Sequence, residues 1–201
     1  VAAMDAGFFR RWLTTAARAV ERDADRLTAL DSAIGDADHG SNLRRGMAAV
    51  AAALDAEEPA TPGAVLLLAG RTLVSTVGGA SGPLYGTLLR RAGKALGDAE
   101  RVEGEELREA LAEGADAVAR LGGAAQGDKT MLDALLPAVA ALPDLAAAAG
   151  AAQRGAEATI ALRARRGRAS YLGERSEGHM DPGSASTALL FLALAEVADD
   201  A

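Results

Sequence analysis

Apolar residues in this chain recur at three- and four-residue steps and nowhere alternate. Phe9, Trp12, Leu13, Ala16, Val20, Leu27 and Leu30 fall on one face of a 3.6-residue helix. No segment joins period-two alternation to β-branched enrichment, so no strands are expected. The side chains available point the same way. Half the residues are apolar, yet only 3% are aromatic, and Ala is the commonest residue. Ala is the best helix former and is disfavoured in strands, so the chain is restricted to helices packed close together. The expected fold is all-α, a single domain spanning residues 1–201.

The first helix should run to Asp31, where Asp31–Gly40 breaks the period with two Gly and three Asp. A second fits Asn42–Leu54 and a third Pro62–Val77, with Pro at its start. Gly78, Gly79, Gly82 and Pro83 then turn the chain into a fourth, Leu84–Leu96. A fifth covers Glu103–Leu121, and a sixth runs from Thr130 to Leu142–Pro143. The Ala-rich run from Asp144 to Arg165 reads as a seventh, and Thr187–Val197 as the last, capped by Ser184 or Ser186.

Charge and composition remove several function classes. A net charge of −7 argues against a non-specific binder of nucleic acid or anionic membrane. The absence of Cys rules out disulfides, thiolate metal sites and cysteine nucleophiles. Asp5, Arg10 and Arg11 interrupt the start of the chain, so no signal-peptide core is expected there. No run approaches the length of a membrane span. A cytoplasmic location is expected.

Four loops carry more Gly, acid and small polar residues than helix connections need. In the first, Asp31, Asp36 and Asp38 fall within eight residues. Carboxylates so close repel unless a cation sits among them, and oxygen ligands suit Mg²⁺, Ca²⁺ or Mn²⁺. An EF-hand is excluded, because counting from Asp36 puts Met47 where its Glu is required. Mg²⁺ held by few carboxylates completes its shell with phosphate oxygens, which points to a nucleotide. The bland alternative is that Asp31 and Asp38 only cap helices. The second loop, Gly79-Ala80-Ser81-Gly82, opens a helix and offers backbone N–H groups to an anion.

The third loop, Gly122 to Met131, looks like a P-loop. Asp128 separates Gly127 from Lys129, however, and the loop follows a helix, so that reading fails. Thr130 and Met131 can still touch a nucleotide. The fourth, the seventeen residues Gly167–Gly183, brings Arg168, Arg175 and His179 to the turn Asp181-Pro182-Gly183, and Arg there can grip phosphate bidentately. No Gly-x-Ser-x-Gly elbow is present, and neither His has a Ser or Cys partner at recognisable spacing.

Four motifs in order carry a resemblance over essentially the whole chain. They are Leu30-Asp31 with Gly35-Asp36-Ala37-Asp38-His39-Gly40-Ser41-Asn42, Gly78-Gly-Ala-Ser-Gly-Pro-Leu-Tyr-Gly86, Gly127-Asp-Lys-Thr-Met-Leu-Asp133, and Gly167-Arg-Ala-Ser-Tyr-Leu-Gly-Glu-Arg-Ser176 with Asp181-Pro-Gly183. Together they resemble the nucleotide-binding L subunit of dihydroxyacetone kinases, a family of transferases acting in glycerol metabolism. The resemblance implies a barrel of eight antiparallel helices holding ADP or ATP at one end through Mg²⁺, with two ions expected.

By position, Asp31, Asp36 and Asp38 resemble the family's Mg²⁺ ligands and, with Arg168, its catalytic groups. His39, Gly40, Ser41, Asn42, Gly79, Ala80, Ser81, Gly82, Thr130, Met131, Arg168, Asp181, Pro182 and Gly183 match its nucleotide pocket, and Gly122 falls near it. Ala37 departs from a common Gly, and Glu177 and Met180 depart from Ile and Gln.

The sugar enters only through the resemblance. It implies a separate K-type subunit that holds dihydroxyacetone covalently, and an M-type subunit of the phosphotransferase system that recharges resident ADP. A chain of 201 residues matches the free-standing form commonly served that way. Other readings are an ATP-exchanging subunit for a related small sugar, the nucleotide domain of a fatty-acid kinase, and an ADP-bound module docking on a transcription regulator. His39, where fatty-acid kinases commonly carry Thr, and a chain ending at Ala201 argue against the second.

Overall fold

A computed structural model describes residues 3–200, and its eight α-helices follow the apolar periodicity closely. Helix α1 (Ala6–Ile34) starts where the Asp5 carboxylate accepts the Phe8 N–H at 2.9 Å. Its buried stripe carries Phe9, Trp12, Leu13, Ala16, Val20 and Leu27, as the spacing required. Helices α2 (His39–Glu57), α3 (Pro62–Thr76), α4 (Ser81–Leu96) and α5 (Gly104–Gly122) follow. They are succeeded by α6 (Leu132–Ala141), α7 (Leu145–Ala158) and α8 (Pro182–Asp199).

Each helix packs on its neighbours in the chain, and α8 returns to α1. Most connections between packed consecutive helices are short and make them antiparallel. The longer one between α7 and α8 returns to where it started, with the Asp181 N–H on the Thr159 hydroxyl, so the eight form a closed ring. The Trp12 indole N–H donates to the Leu190 carbonyl at 2.8 Å, joining first helix to last. Small residues let the ring close tightly. A Cβ at Gly70 would lie 2.8 Å from the Gly86 carbonyl, and one at Gly86 2.9 Å from the Gly70 carbonyl, so α3 and α4 touch backbone to backbone. A sequence rich in Ala and Gly and poor in aromatics is what this packing demands.

The structure departs from the sequence reading at element ends. Helix α1 continues to Ile34, which places Asp31 on its last turn. Helices α2, α4 and α8 begin at His39, Ser81 and Pro182, each a few residues earlier than expected. Two-residue strands Met4–Asp5 and Arg101–Val102 pair antiparallel, too short to leave a periodic signal. Helix α7 ends at Ala158 rather than Arg165. There the Thr159 hydroxyl donates to the Ala156 carbonyl at 2.5 Å and accepts the Asp181 N–H at 2.9 Å. The chain thus leaves the helix for tertiary polar partners. The fourth loop also contains local order, a 3-10 segment Arg168–Ser176 kinked at Gly173. Among the described residues no helix is long and apolar enough to cross a membrane.

Candidate functional site

The first turns of α2, α4, α6 and α8 converge on one cleft of about 420 Å³. Helix N-termini carry unsatisfied N–H groups and the positive end of the dipole, so the cleft favours anions. Asp31, Asp36 and Asp38 stand on its wall, each offering a carboxylate oxygen within 4.8 Å of the others. An acidic cluster inside a ring of helix N-termini suits neither a bare anion nor a bare cation. It suits the two together.

Asp31 has two jobs. One oxygen accepts the backbone N–H groups of Asp38 and His39, at 2.9 and 3.0 Å, and so caps α2. The capping alternative is therefore realised for this residue, while its other oxygen is left for a ligand. That oxygen lies 2.0 Å from where a Cβ on Gly35 would sit, so only Gly fits at that turn. Asp36 is exposed and Asp38 half-buried. Asp36 meets the Arg168 guanidinium at 3.0 Å, a solvent-exposed pair contributing at most about 1 kcal/mol.

Ala37 lies between the two acids with φ of +63°. A left-handed conformation costs a residue with a Cβ about 1–2 kcal/mol, part of which Gly loses again in chain entropy. Ala37→Gly is expected to stabilise the protein by roughly 0.5–1 kcal/mol, a rise of about 1–4 °C in melting temperature. A fall in melting temperature by calorimetry would show that the loop bears no such strain.

His39 is buried at the start of α2. Its Nδ1 lies 3.0 Å from the Ser81 hydroxyl and its Nε2 2.9 Å from that of Ser186. Burial pushes the imidazole pKa below its usual value, opposed by Asp31, Asp38 and Asp36. Ser186 in turn meets the Tyr85 hydroxyl at 2.6 Å, and Tyr85 reaches Thr187 at 2.9 Å. Burial raises the Tyr85 pKa to about 12, so this phenol stays protonated. The network ties α2, α4 and α8 together behind Ser81.

Asp133 organises the third loop. Its carboxylate accepts the Gly127 N–H at 2.6 Å and the Thr130 N–H at 2.8 Å. The Ser184 hydroxyl donates to the Thr130 carbonyl at 2.6 Å, joining that loop to α8. Asp181 caps α8 through the Ser184 N–H at 2.7 Å. Desolvation lifts its carboxyl pKa to about 7 against that hydrogen bond.

Of the residues expected at the site, Asp31, Asp36, Asp38, His39, Gly79, Ala80, Ser81, Gly122, Thr130, Met131, Arg168, Asp181, Pro182 and Gly183 line the cleft. Four others do not. Gly40 is buried against the backbone of Ala24 and Thr28, and Gly82 against the Val77 carbonyl. The Ser41 hydroxyl turns back to the Asp38 carbonyl at 3.1 Å. Asn42 accepts from Arg45 at 2.9 Å and stands behind Gly78. The reason is the early start of α2 for Gly40, Ser41 and Asn42, and of α4 for Gly82, which turns these residues off the cleft wall.

The departures Glu177 and Met180 are also off the wall: Glu177 pairs with Arg163 at 3.2 Å, and Met180 packs on the core. Residues missing from the expected set include Lys129, Tyr85 and Arg166, which line the cleft, and Asp133 and Ser186, which support it. Only Asp133 had a readable signal, the Thr-x-x-Asp spacing of a reciprocal cap. Leu84, Val118, Leu121 and Met131 give the cleft an apolar wall of the kind a planar base requires.

The DAK2 domain family model matches residues 33–196. The ADP-binding subunit DhaL of the PEP-dependent dihydroxyacetone kinase of Escherichia coli K12 is 42% identical over 200 residues, covering 94% of this chain and 95% of the relative. The corresponding subunit of the PTS-dependent dihydroxyacetone kinase of Lactococcus lactis is 37% identical, covering 92% and 94%. The crystal structure of the dihydroxyacetone kinase of C. freundii in complex with AMP-PNP and Mg²⁺ superposes with a TM-score of 0.73 at 32% identity. It covers 95% of this chain and 33% of that one.

Proposed function

Because the chain belongs to the DAK2 domain family, we propose that it is the nucleotide-binding subunit of a dihydroxyacetone kinase, with residues 1–201 forming that one unit. It passes a phosphoryl group from bound nucleotide to dihydroxyacetone held on a separate K-type subunit, in the cytoplasm. The observation that carries this reading is the carboxylate cluster set among four helix N-termini.

The donor set fits Mg²⁺, since Asp31, Asp36 and Asp38 supply hard oxygens and the charge an octahedral cation needs. Bound there, Mg²⁺ would neutralise charge on the phosphate oxygens during transfer. This chain's own groups do the rest. Backbone N–H groups at Ser81 and Gly183 offer hydrogen bonds to phosphate, and Gly79, with open space around its α-carbon, lets the ligand approach. His39 holds the Ser81 hydroxyl in place. Arg168 stands beside Asp36, where it can meet a transferring phosphoryl group. Leu84, Val118, Leu121 and Met131 receive the base. Phosphoryl transfer asks for this positioning and charge compensation, not for a covalent nucleophile.

The names of the relatives favour a resident ADP recharged in place by an M-type subunit over exchange with free ATP. Labelled ADP loaded onto the protein, desalted and chased with ATP is expected to stay bound for hours. Loss of the label within seconds would assign the chain to the ATP-exchanging kind. A transcription regulator remains the alternative partner, and pull-down against it and against a K-type subunit separates the two.

A further inference from the structure

Lys129 is only 2% exposed and is held at φ of +62°, a conformation disfavoured for any residue with a Cβ. The residue lines the cleft, and its side chain runs from there into the protein. Its ammonium donates to the carbonyls of Thr159 at 2.8 Å, Leu162 at 3.0 Å and Ser176 at 2.7 Å. An ammonium has three donors, so all are used. Leu162 and Ser176 are the two roots of the segment 163–175. That segment carries Arg166, Gly167, Arg168 and Ala169 into the cleft wall. The next residues toward the cleft, Thr130 and Met131, are themselves part of that wall. Asp128, just before, accepts the Arg165 N–H on its carbonyl at 3.1 Å.

We propose that Lys129 is a positioning residue that pins both roots of the 163–175 segment, so that Arg168 is presented over the nucleotide cleft and a bound nucleotide is kept from leaving. A helix or an apolar contact could close one root. A single buried cation satisfying carbonyls on both sides closes the loop as a unit, and links it to the wall formed by Thr130. The second anchor is independent: the Ser176 hydroxyl accepts the Ala164 N–H at 2.9 Å and donates to the Gly173 carbonyl at 2.6 Å.

The effect on nucleotide rests on the function proposed above; the effect on the segment does not. Lys129→Met, which keeps the length of the side chain and removes its donors, is expected to speed tryptic cleavage within 163–175 at least about tenfold in nucleotide-free protein. The same variant should quicken ADP release about tenfold with little change in association, because an opened cover acts on escape. Ser176→Ala, which removes the independent anchor, should act in the same direction by about threefold. Lys129→Gln, which keeps two donors on a shorter arm, should do so too by about threefold, and decides the matter if Lys129→Met does not fold. Cleavage at the wild-type rate in a folded variant would overturn the tether. Faster cleavage with unchanged ADP release would overturn its role in retention. Wild-type protein that binds no ADP would count against the proposed function and leave the cleavage result standing.

Discussion

Asp36→Asn is expected to weaken Mg²⁺-dependent ADP binding at least about a hundredfold, close to 3 kcal/mol, while the helical circular dichroism is unchanged. The size follows from charge. Three carboxylates within reach of one another bind a divalent ion through their summed negative charge, and an amide oxygen in place of one removes a third of it. The specificity follows from what Asp36 does otherwise, which is little. Its side chain is exposed and its one ion pair, with Arg168, is exposed too, so the fold does not depend on it. Asp31 makes a poorer test because its second oxygen caps α2, and its loss would mix stability with binding. Calorimetric titration with ADP, with and without a chelator, reads the effect. Equal affinity for variant and wild type would remove the acidic cluster as a metal site.

The residues legible in the sequence were those whose chemistry is local. Asp31, Asp36 and Asp38 crowd eight positions of chain, and no fold is needed to see that they must share a cation or repel. Gly79-Ala80-Ser81 announces a helix N-terminus by composition alone. The buried stripe of α1 was likewise fixed by spacing. What stayed hidden depends on where helices start and on partners far along the chain. Gly40, Ser41 and Asn42 are placed in the pocket with His39 by the resemblance, but a helix begun at His39 turns them to other faces within one turn. The end of α7 at Ala158 is set by Lys129 and Asp181, residues distant in sequence whose polar groups outbid helix continuation. Lys129 reads in the sequence only as the Lys of a failed P-loop match, and its role appears once the carbonyls of Thr159, Leu162 and Ser176 are seen around it.

The isolated chain is expected not to phosphorylate dihydroxyacetone at any ATP concentration, and to gain activity when a K-type subunit is added, a difference of at least about a thousandfold. The reason lies in the nucleophiles available. A ketone is fixed covalently by a free amine or imidazole. In the cleft, the two candidates are committed elsewhere. Both nitrogens of His39 are engaged, by Ser81 and Ser186, and the Lys129 ammonium has all three donors on carbonyls. Tyr85 is buried, with its hydroxyl pKa at about 12, and cannot serve as an anion near neutral pH. His179 is exposed and does not line the cleft. No covalent hold for the sugar is therefore expected in this cleft, and a weakly held triose would rarely meet a phosphoryl group there. An acceptor carried on another protein overcomes this, because docking converts a bimolecular encounter into a positioned one. A coupled assay for triose phosphate, run with and without the K-type subunit, measures the gain. Sustained turnover by this chain alone would mean that one of the committed groups, His39 first among them, is released to hold the substrate.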